Sequence, residues 1–387
     1  MAVRLGRMEE NDRQRLVERI HESGRQLVLS VTGGGSGAIP ALLAVPGASA
    51  SVLEATVPYA AAALERWLGG SVDQFCSERT ARAMAMAAFE RARQLSDIEP
   101  LSMRGIGATA SLATTRPKLG PHRVHVAWQA AEATVALSCE LVKGLRSRGD
   151  EEEIAAALVL AAAAEACGVD VDLAALVDPA IAANVQRREQ RAPAVWTEML
   201  LGRRNSVAIY GSGSAADVAS APAILFPGAF NPLHEGHEQM AKLAAEKVGA
   251  PVTFELSITN VDKPPLDFLE IADRLEELVA KPVLMTRAAT FAEKATLAPG
   301  CVFVVGIDTL ARIGDVRYYR GDEAPRDAAI ETIGKHGCRF LVFGRTIDGR
   351  FENMADVELP SALRQLCDDV PESEFRADVS STELRSN

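Results

Sequence analysis

Aromatic side chains are scarce in this chain, at 5% of 387 residues. A core short of rings has to be packed from aliphatic and alanine side chains, which favours closely packed helices and says nothing about chemistry. No run of 18 apolar residues occurs, so the ordinary signature of a membrane-spanning helix is missing. The opening MAVRLGRMEENDRQ has no apolar signal core, and the expectation is a cytoplasmic protein. Positive charge is not in excess either. A formal net charge of -11 works against bulk attraction to nucleic acid or anionic lipid, so neither is expected as a partner. It leaves room for a small anionic ligand, because backbone dipoles can hold phosphate inside an acidic protein. The six cysteines (Cys76, Cys139, Cys167, Cys301, Cys338 and Cys367) form no C-x-x-C pair, which argues for reduced thiols over a disulfide framework or a zinc site.

What is present describes a folded chain of two domains. Hydrophobic residues make up 48% and charged residues 24%, a globular balance, and the length exceeds one ordinary core. The pattern divides it into a mixed α/β domain over 1–168, a connector over 169–222 and a second domain over 223–387. In the first, periodicity predicts helices over 9–24, from 36 to 45, and over 58–68, 78–95, 129–146 and 152–166. Strands are predicted at 26–31, 104–109 and 123–128. The connector holds helical pieces, the charged Arg187–Arg191 stretch, a strand-like SVAIY at 206–210, and GSGSAADVASAP, whose small residues suit a flexible lead-in. Gly211–Ser214 could imitate a phosphate loop, but it lacks the Lys-Ser/Thr that follows in such loops, so the linker reading is preferred.

From Ala223 the pattern is β-α-β. Strands are expected at 223–228, 253–258, 283–286, 301–306 and 339–344, with helices at 236–248 and 269–280. Such alternation predicts a largely parallel sheet with both faces covered, a Rossmann-like arrangement. Ligands of these sheets sit beyond the carboxyl ends of the strands. The first strand runs into Gly228-Ala229-Phe230-Asn231-Pro232-Leu233-His234-Glu235-Gly236-His237. His234 and His237 are three apart at a helix start, so both can face one object, and the helix N-terminus offers free N–H groups to an anion. Gly228 spares a side chain where backbone meets ligand.

GAFNPLHEGH resembles the GxFxPxHxGH motif of the HxGH nucleotidyltransferase superfamily, which includes nicotinamide- and nicotinate-mononucleotide adenylyltransferases, pantetheine-phosphate adenylyltransferase and cytidylyltransferases. Ser380-Ser381-Thr382-Glu383-Leu384-Arg385 resembles its SSTxxR element, and Gly306-Ile307-Asp308-Thr309-Leu310 resembles its GxDxL segment. The resemblance implies an enzyme that moves an adenylyl group from ATP, accompanied by Mg²⁺ on the phosphates and with no protein-held metal, to a small phosphorylated acceptor. His234, His237 and Arg385 would be catalytic, with His237 on the α-phosphate and Arg385 on the β/γ side. Gly228, Phe230, Gly236, Gly306, Asp308, Ser381 and Thr382 would bind the nucleotide. Asp308 would lie near a ribose or the second substrate, with a helix cap as the lesser alternative. Gly344-Arg345-Thr346 stands where these enzymes carry an arginine near the nucleotide. Residues 257–274 are similar to the segment after the second strand of the pyridine-mononucleotide enzymes, which makes Lys263 and Arg274 candidates for the second substrate. Tyr318 or Tyr319 could stack on its ring, or be ordinary core or surface aromatics.

The first domain carries a fainter resemblance. Leu29-Ser30-Val31-Thr32-Gly33-Gly34, Pro46-Gly47-Ala48-Ser49, Val57-Pro58-Tyr59 and Leu68-Gly69 follow one another as in the CinA C-terminal domain, a nicotinamide-mononucleotide deamidase in family members. Ser30, Thr32, Gly33 and Gly34 match. Leu29 stands in place of the family glutamate and Leu64 in place of its lysine, and the Thr-Gly-Ile-Ala-Gly-Pro element survives only as Thr109–Thr114. A serine nucleophile needs a neighbour to take its proton, and none is visible. The resemblance thus implies a degenerate site in a binding, oligomerising or scaffolding module through which copies could associate. Two other readings stand beside the adenylyltransferase: a non-catalytic, regulatory nucleotide-binding protein, or a nucleotidyltransferase with another phosphate acceptor. A surviving amidohydrolase in the first domain is a third.

Overall fold

The structure is a computed structural model that describes residues 10–115, 119–210, 214–216, 220–347 and 350–376. The chain divides into two compact units: Met1–Leu201 with Asp262–Ile271, and Gly202–Val261 with Ala272–Asn387. Among the described residues no helix is long and apolar enough to cross a membrane.

The first unit is mixed α/β. Its main elements are α1 (Glu10–Glu22), β1 (Gln26–Thr32), β2 (Val52–Thr56), α2 (Glu78–Leu95), β3 (Met103–Ser111), β4 (His122–Gln129), β5 (Ala133–Leu141), α3 (Arg148–Ala166) and β6 (Gln186–Arg191). The sheet runs β2-β1-β3-β4-β5-β6. β1 is parallel to β2 and β3, and the remaining neighbours are antiparallel. Leu27, Leu29 and Val31 of β1 pack with Leu16, Val17 and Ile20 of α1 and with the apolar side of α3. Ala81 and Ala85 of α2 pack with Ala127 and Ala136. α3 starts at a capping box in which Ser147 and Asp150 each accept the other's backbone N–H, an arrangement that satisfies two orphan donors of the first turn.

Two expectations are corrected here. The helix expected over 129–146 is instead β5, antiparallel to both β4 and β6. ATVALSCEL is buried almost throughout, so it lacks the alternation that marks a half-exposed strand, and its alanines mimic a helix. Pairing on both edges outweighs that propensity. The stretch expected as a connector, with helical pieces and a strand-like 206–210, is divided between the two units. Its first part folds with the first unit, where β6 completes the sheet, and its second part includes β7 (Ser206–Tyr210), antiparallel to a strand of the second unit. Apart from Ser214, the Gly211–Ser214 run lies outside the described residues.

The second unit holds β7, β8 (Ser214–Ala216), β9 (Ile224–Pro227), α4 (Glu235–Val248), β10 (Val252–Ser257), β11 (Val283–Thr286), α6 (Phe291–Leu297), β12 (Val302–Gly306), α7 (Ile307–Gly314), α8 (Glu323–Lys335), β13 (Arg339–Phe343) and β16 (Cys367–Val370). A small hairpin joins β14 (Arg345–Ile347) to β15 (Arg350–Glu352). α5 (Phe268–Glu277) begins in the ten residues, Asp262–Ile271, that fold with the first unit. The sheet order is β16-β13-β12-β9-β10-β11-β7-β8. The strands from β9 to β13, with β16, are parallel.

This order positions the site. From β9 the chain steps one way, to β10 and β11; it then returns to β12 on the other side of β9 and steps away to β13 and β16. The order therefore reverses between β9 and β12, and a crevice opens there beyond the strand ends. Parallel crossovers are almost always right-handed. Steps in opposite directions then put α4 and α7 on opposite faces of the sheet, with their first turns flanking the same crevice.

Candidate functional site

A cleft of about 350 Å³ lies at this reversal. Its walls come from the end of β9 and the loop after it (Phe226–Ala229), the start of α4 (His234, Gly236, His237), Gly306 with α7 (Asp308 and Thr309 in its first turn, Arg312 in its last), and the end of β13 with the two residues after it (Phe343–Arg345). Gly228, Gly236, His234, His237, Gly306, Asp308 and Arg345, all picked out in the sequence, meet in one place.

His234 is the residue before α4, in extended conformation at φ -139° and ψ 168°. Its backbone N–H donates to Nδ1 of His237 at 3.3 Å. A nitrogen that accepts carries no proton, so the neutral His237 ring holds its proton on Nε2. The two imidazoles stack with centroids 3.7 Å apart. Burial, followed by the neighbouring His234, pushes the His237 pKa down to about 4; burial lowers that of His234 as well. Both rings are therefore neutral donors at pH 7. The buried Nδ1 of His234 has no hydrogen-bond partner among the described residues, a polar atom that a ligand or water can satisfy.

Phe230, expected among the nucleotide contacts, does not line the cleft. It is 1% exposed, at φ 45°, with its ring edge-on to Phe226, Phe254 and His237. It supports the histidine loop from beneath. Gly228 has the matching reason: a Cβ there would sit 2.5 Å from the Phe230 ring, so the loop closes over the ring only with glycine at that position. Asp308 is ion-paired with Arg345. Arg312 was not singled out in the sequence. It lies one turn after Asp308 on α7, and that i, i+4 spacing from a residue already chosen was the available signal.

Other candidates fall elsewhere. Lys263 is exposed and belongs to the first unit, while Arg274 is 8% exposed within α5; neither lines the cleft. Tyr318 is a surface aromatic, and Tyr319 donates its hydroxyl to the Ile313 carbonyl; neither reaches the cleft. Ser380, Ser381, Thr382 and Arg385 lie outside the described residues.

The titration of His237 has a consequence for stability. The unfolded ring takes a proton near pH 6.5 and the folded one near 4, so between these values the unfolded chain binds more protons. Native stability is then lost as pH falls through that window, by an amount on the order of 3 kcal/mol from this ring. Urea unfolding at pH 7 and pH 4.5 should show the loss, and His237→Gln should reduce it; an unchanged slope would count against the buried neutral ring.

In the first unit, Ser30 is fully buried, and its hydroxyl has no partner among the described residues. The Thr32 hydroxyl donates to the Pro58 carbonyl. Gly33 turns at φ 75°, where a Cβ would collide with the Ala110 carbonyl oxygen. The turn after Gly34 is occupied by the protein itself: Gly35 N–H, Gly37 N–H and the Ser36 hydroxyl all donate to the Glu152 carboxylate. Removing the unpaired hydroxyl with Ser30→Ala should stabilise the unit by about 1 kcal/mol. A urea midpoint that falls instead would show that Ser30 has a partner after all.

Comparison with known proteins follows the same division. Residues 225–387 match the cytidylyltransferase-like family. The chain is 30% identical over 186 residues, covering 44% of itself and 72% of the relative, to a protein of Schizosaccharomyces pombe whose provisional name is nicotinamide mononucleotide adenylyltransferase. The N-terminal region is similar to solved proteins of the CinA superfamily. One is the competence/damage-inducible protein CihA from Agrobacterium tumefaciens, at 22% identity and TM-score 0.31, over 41% of this chain and 92% of that one. Another is a CinA superfamily protein from Klebsiella pneumoniae, at 17% identity and TM-score 0.32, over 40% of this chain and 98% of that one.

Proposed function

We infer the reaction from one premise: through residues 225–387 the chain belongs to the cytidylyltransferase-like family. The activity we propose is transfer of an adenylyl group from ATP to the phosphate of a mononucleotide, with nicotinamide and nicotinate mononucleotide as the first acceptors to consider. The observation that carries this reading is the cleft at the strand reversal, where two neutral imidazoles, the first turns of two helices and two arginines converge.

An oxygen of the acceptor phosphate bonds to the α-phosphorus of ATP. The bond from that phosphorus to the oxygen bridging to the β-phosphate breaks, and its electron pair leaves with pyrophosphate. The acceptor phosphate is already ionised at neutral pH, so no base has to remove a proton from it. The protein's task is alignment, together with hydrogen bonds to oxygens that gain charge. His237, donating from Nε2, is assigned to the α-phosphate, with His234 beside it. Gly306 and the first turn of α7, with Asp308 held by Arg345, border the nucleotide or its acceptor. Ser381, Thr382 and Arg385 are assigned to the β/γ end on the strength of the motif. Mg²⁺ arrives as part of the substrate, chelated by the triphosphate. For the first domain we propose a binding or scaffolding role, supported by the buried Ser30 and by the turn closed on Glu152.

The test is pyrophosphate release by the full chain with Mg-ATP and each pyridine mononucleotide, alongside CTP as donor, because the family takes its description from cytidylyl transfer. Release with ATP and a pyridine mononucleotide supports the proposal. Release with CTP alone, or with a different phosphate acceptor, moves the assignment within the family. ATP binding without any turnover favours the regulatory reading.

A further inference from the structure

We propose that Arg312 holds the phosphate of the acceptor, on the wall of the cleft opposite the two histidines. The inference deepens the transfer reading and rests on it. Five polar side chains of the described cleft bear on the argument. His234 and His237 are neutral. Arg345 is compensated by Asp308. Arg312 lines the same cleft, is exposed, and has no side-chain hydrogen bond or ion pair among the described residues. It is the uncompensated cation of this group. Two phosphorylated substrates meet here, and their like charges have to be brought together.

Topology gives the arginine its substrate. In-line transfer places the acceptor oxygen and the departing pyrophosphate on opposite sides of the α-phosphorus. The imidazoles stand at the start of α4, and Arg312 is on α7; these helices cover opposite faces of the sheet and flank one crevice. With one wall supplying donors to the triphosphate, the guanidinium on the other wall faces the incoming group. Its planar set of N–H donors matches phosphate oxygens in a bidentate fork that lysine does not reproduce. Arg312 is thus a binding residue that orients the attacking oxygen, and its loss should act mainly through acceptor affinity.

The experiment compares the native full chain with Arg312→Ala and Arg312→Lys, using calorimetric binding of nicotinamide mononucleotide and of ATP, each alone, together with steady-state pyrophosphate release. Arg312→Ala is expected to weaken mononucleotide binding, and to raise its KM, by 10- to 100-fold. ATP affinity should change less than threefold, and Arg312→Lys should recover part of the loss. Because the side chain is exposed, thermal unfolding should be unchanged, which separates binding from folding. Equal mononucleotide affinity in native and Arg312→Ala proteins overturns the proposal. So does a loss confined to ATP, or a native protein that binds no mononucleotide. If the native protein binds both ligands with the expected dependence on Arg312 yet releases no pyrophosphate, the transfer reading fails while the phosphate site stands.

Discussion

Replacing His237 with alanine should lower kcat for adenylyl transfer by about 100-fold, the cost of losing one preorganised donor to a phosphoryl oxygen in the transition state, roughly 3 kcal/mol. The expectation follows from the tautomer. Because Nδ1 is committed to the His234 backbone N–H, the ring can offer the substrate only Nε2–H, and it does so without a charge that water would compete to solvate. Glutamine can place an amide N–H near the position of Nε2, whereas asparagine reaches only toward Nδ1. His237→Gln should therefore keep more activity than His237→Asn. KM for ATP should move less than kcat, since the contact is strongest as charge builds on the α-phosphate. Equal kcat in the native and alanine proteins would remove His237 from the chemistry.

The second large effect is on stability. Lys294 and Glu255 form a buried pair, 5% and 1% exposed. Lys294 Nζ donates to both Glu255 oxygens, at 2.8 and 2.9 Å, and to the Ala288 carbonyl. The Thr286 hydroxyl completes the carboxylate. The pair sits under the carboxyl ends of β10 and β11, and the Glu255 carbonyl accepts the Gly228 N–H, which links it to the loop carrying the histidines. Lys294→Met would leave the carboxylate buried without its cation, at a cost of roughly 3–5 kcal/mol. The double change Glu255→Leu with Lys294→Met should recover at least half of that, because two apolar side chains need no partner. Urea unfolding of the three proteins checks this. A single variant that loses less than about 1 kcal/mol would mean that water already reaches the pair.

The cleft was legible in the sequence because its residues sit at ends of elements. Gly228, His234 and His237 lie within ten residues around one strand end and helix start, and Gly306 and Asp308 directly follow a run of apolar residues. Strands buried on both faces read as continuous apolar segments with breakers at each end, and so β11, β12 and β13 stood out. β5 failed the same test because alanine fits a strand and a helix equally well, and only its two sheet neighbours decide between them. That Asp262–Ile271 folds with the first unit was not legible for another reason. Its anchors are long-range: Asp267 and Glu270 bind Arg82, and the Phe268 N–H donates to the Thr134 hydroxyl. No local spacing encodes partners more than 130 positions away. Lys263 lies in that same stretch and does not line the cleft, because a motif position assigns a residue to a segment and says nothing of where that segment folds. Arg312 escaped notice because an arginine one turn into an amphipathic helix is ordinary until its neighbours are known.

The account stands on the place where the triphosphate binds. A crystal structure of the full chain with a non-hydrolysable ATP analogue and nicotinamide mononucleotide measures this directly. It should show phosphate oxygens within hydrogen-bond distance of Nε2 of His237 and of the first turn of α4, with the mononucleotide phosphate toward Arg312. A nucleotide bound away from the β9–β12 crevice, with the two imidazoles untouched, would contradict it.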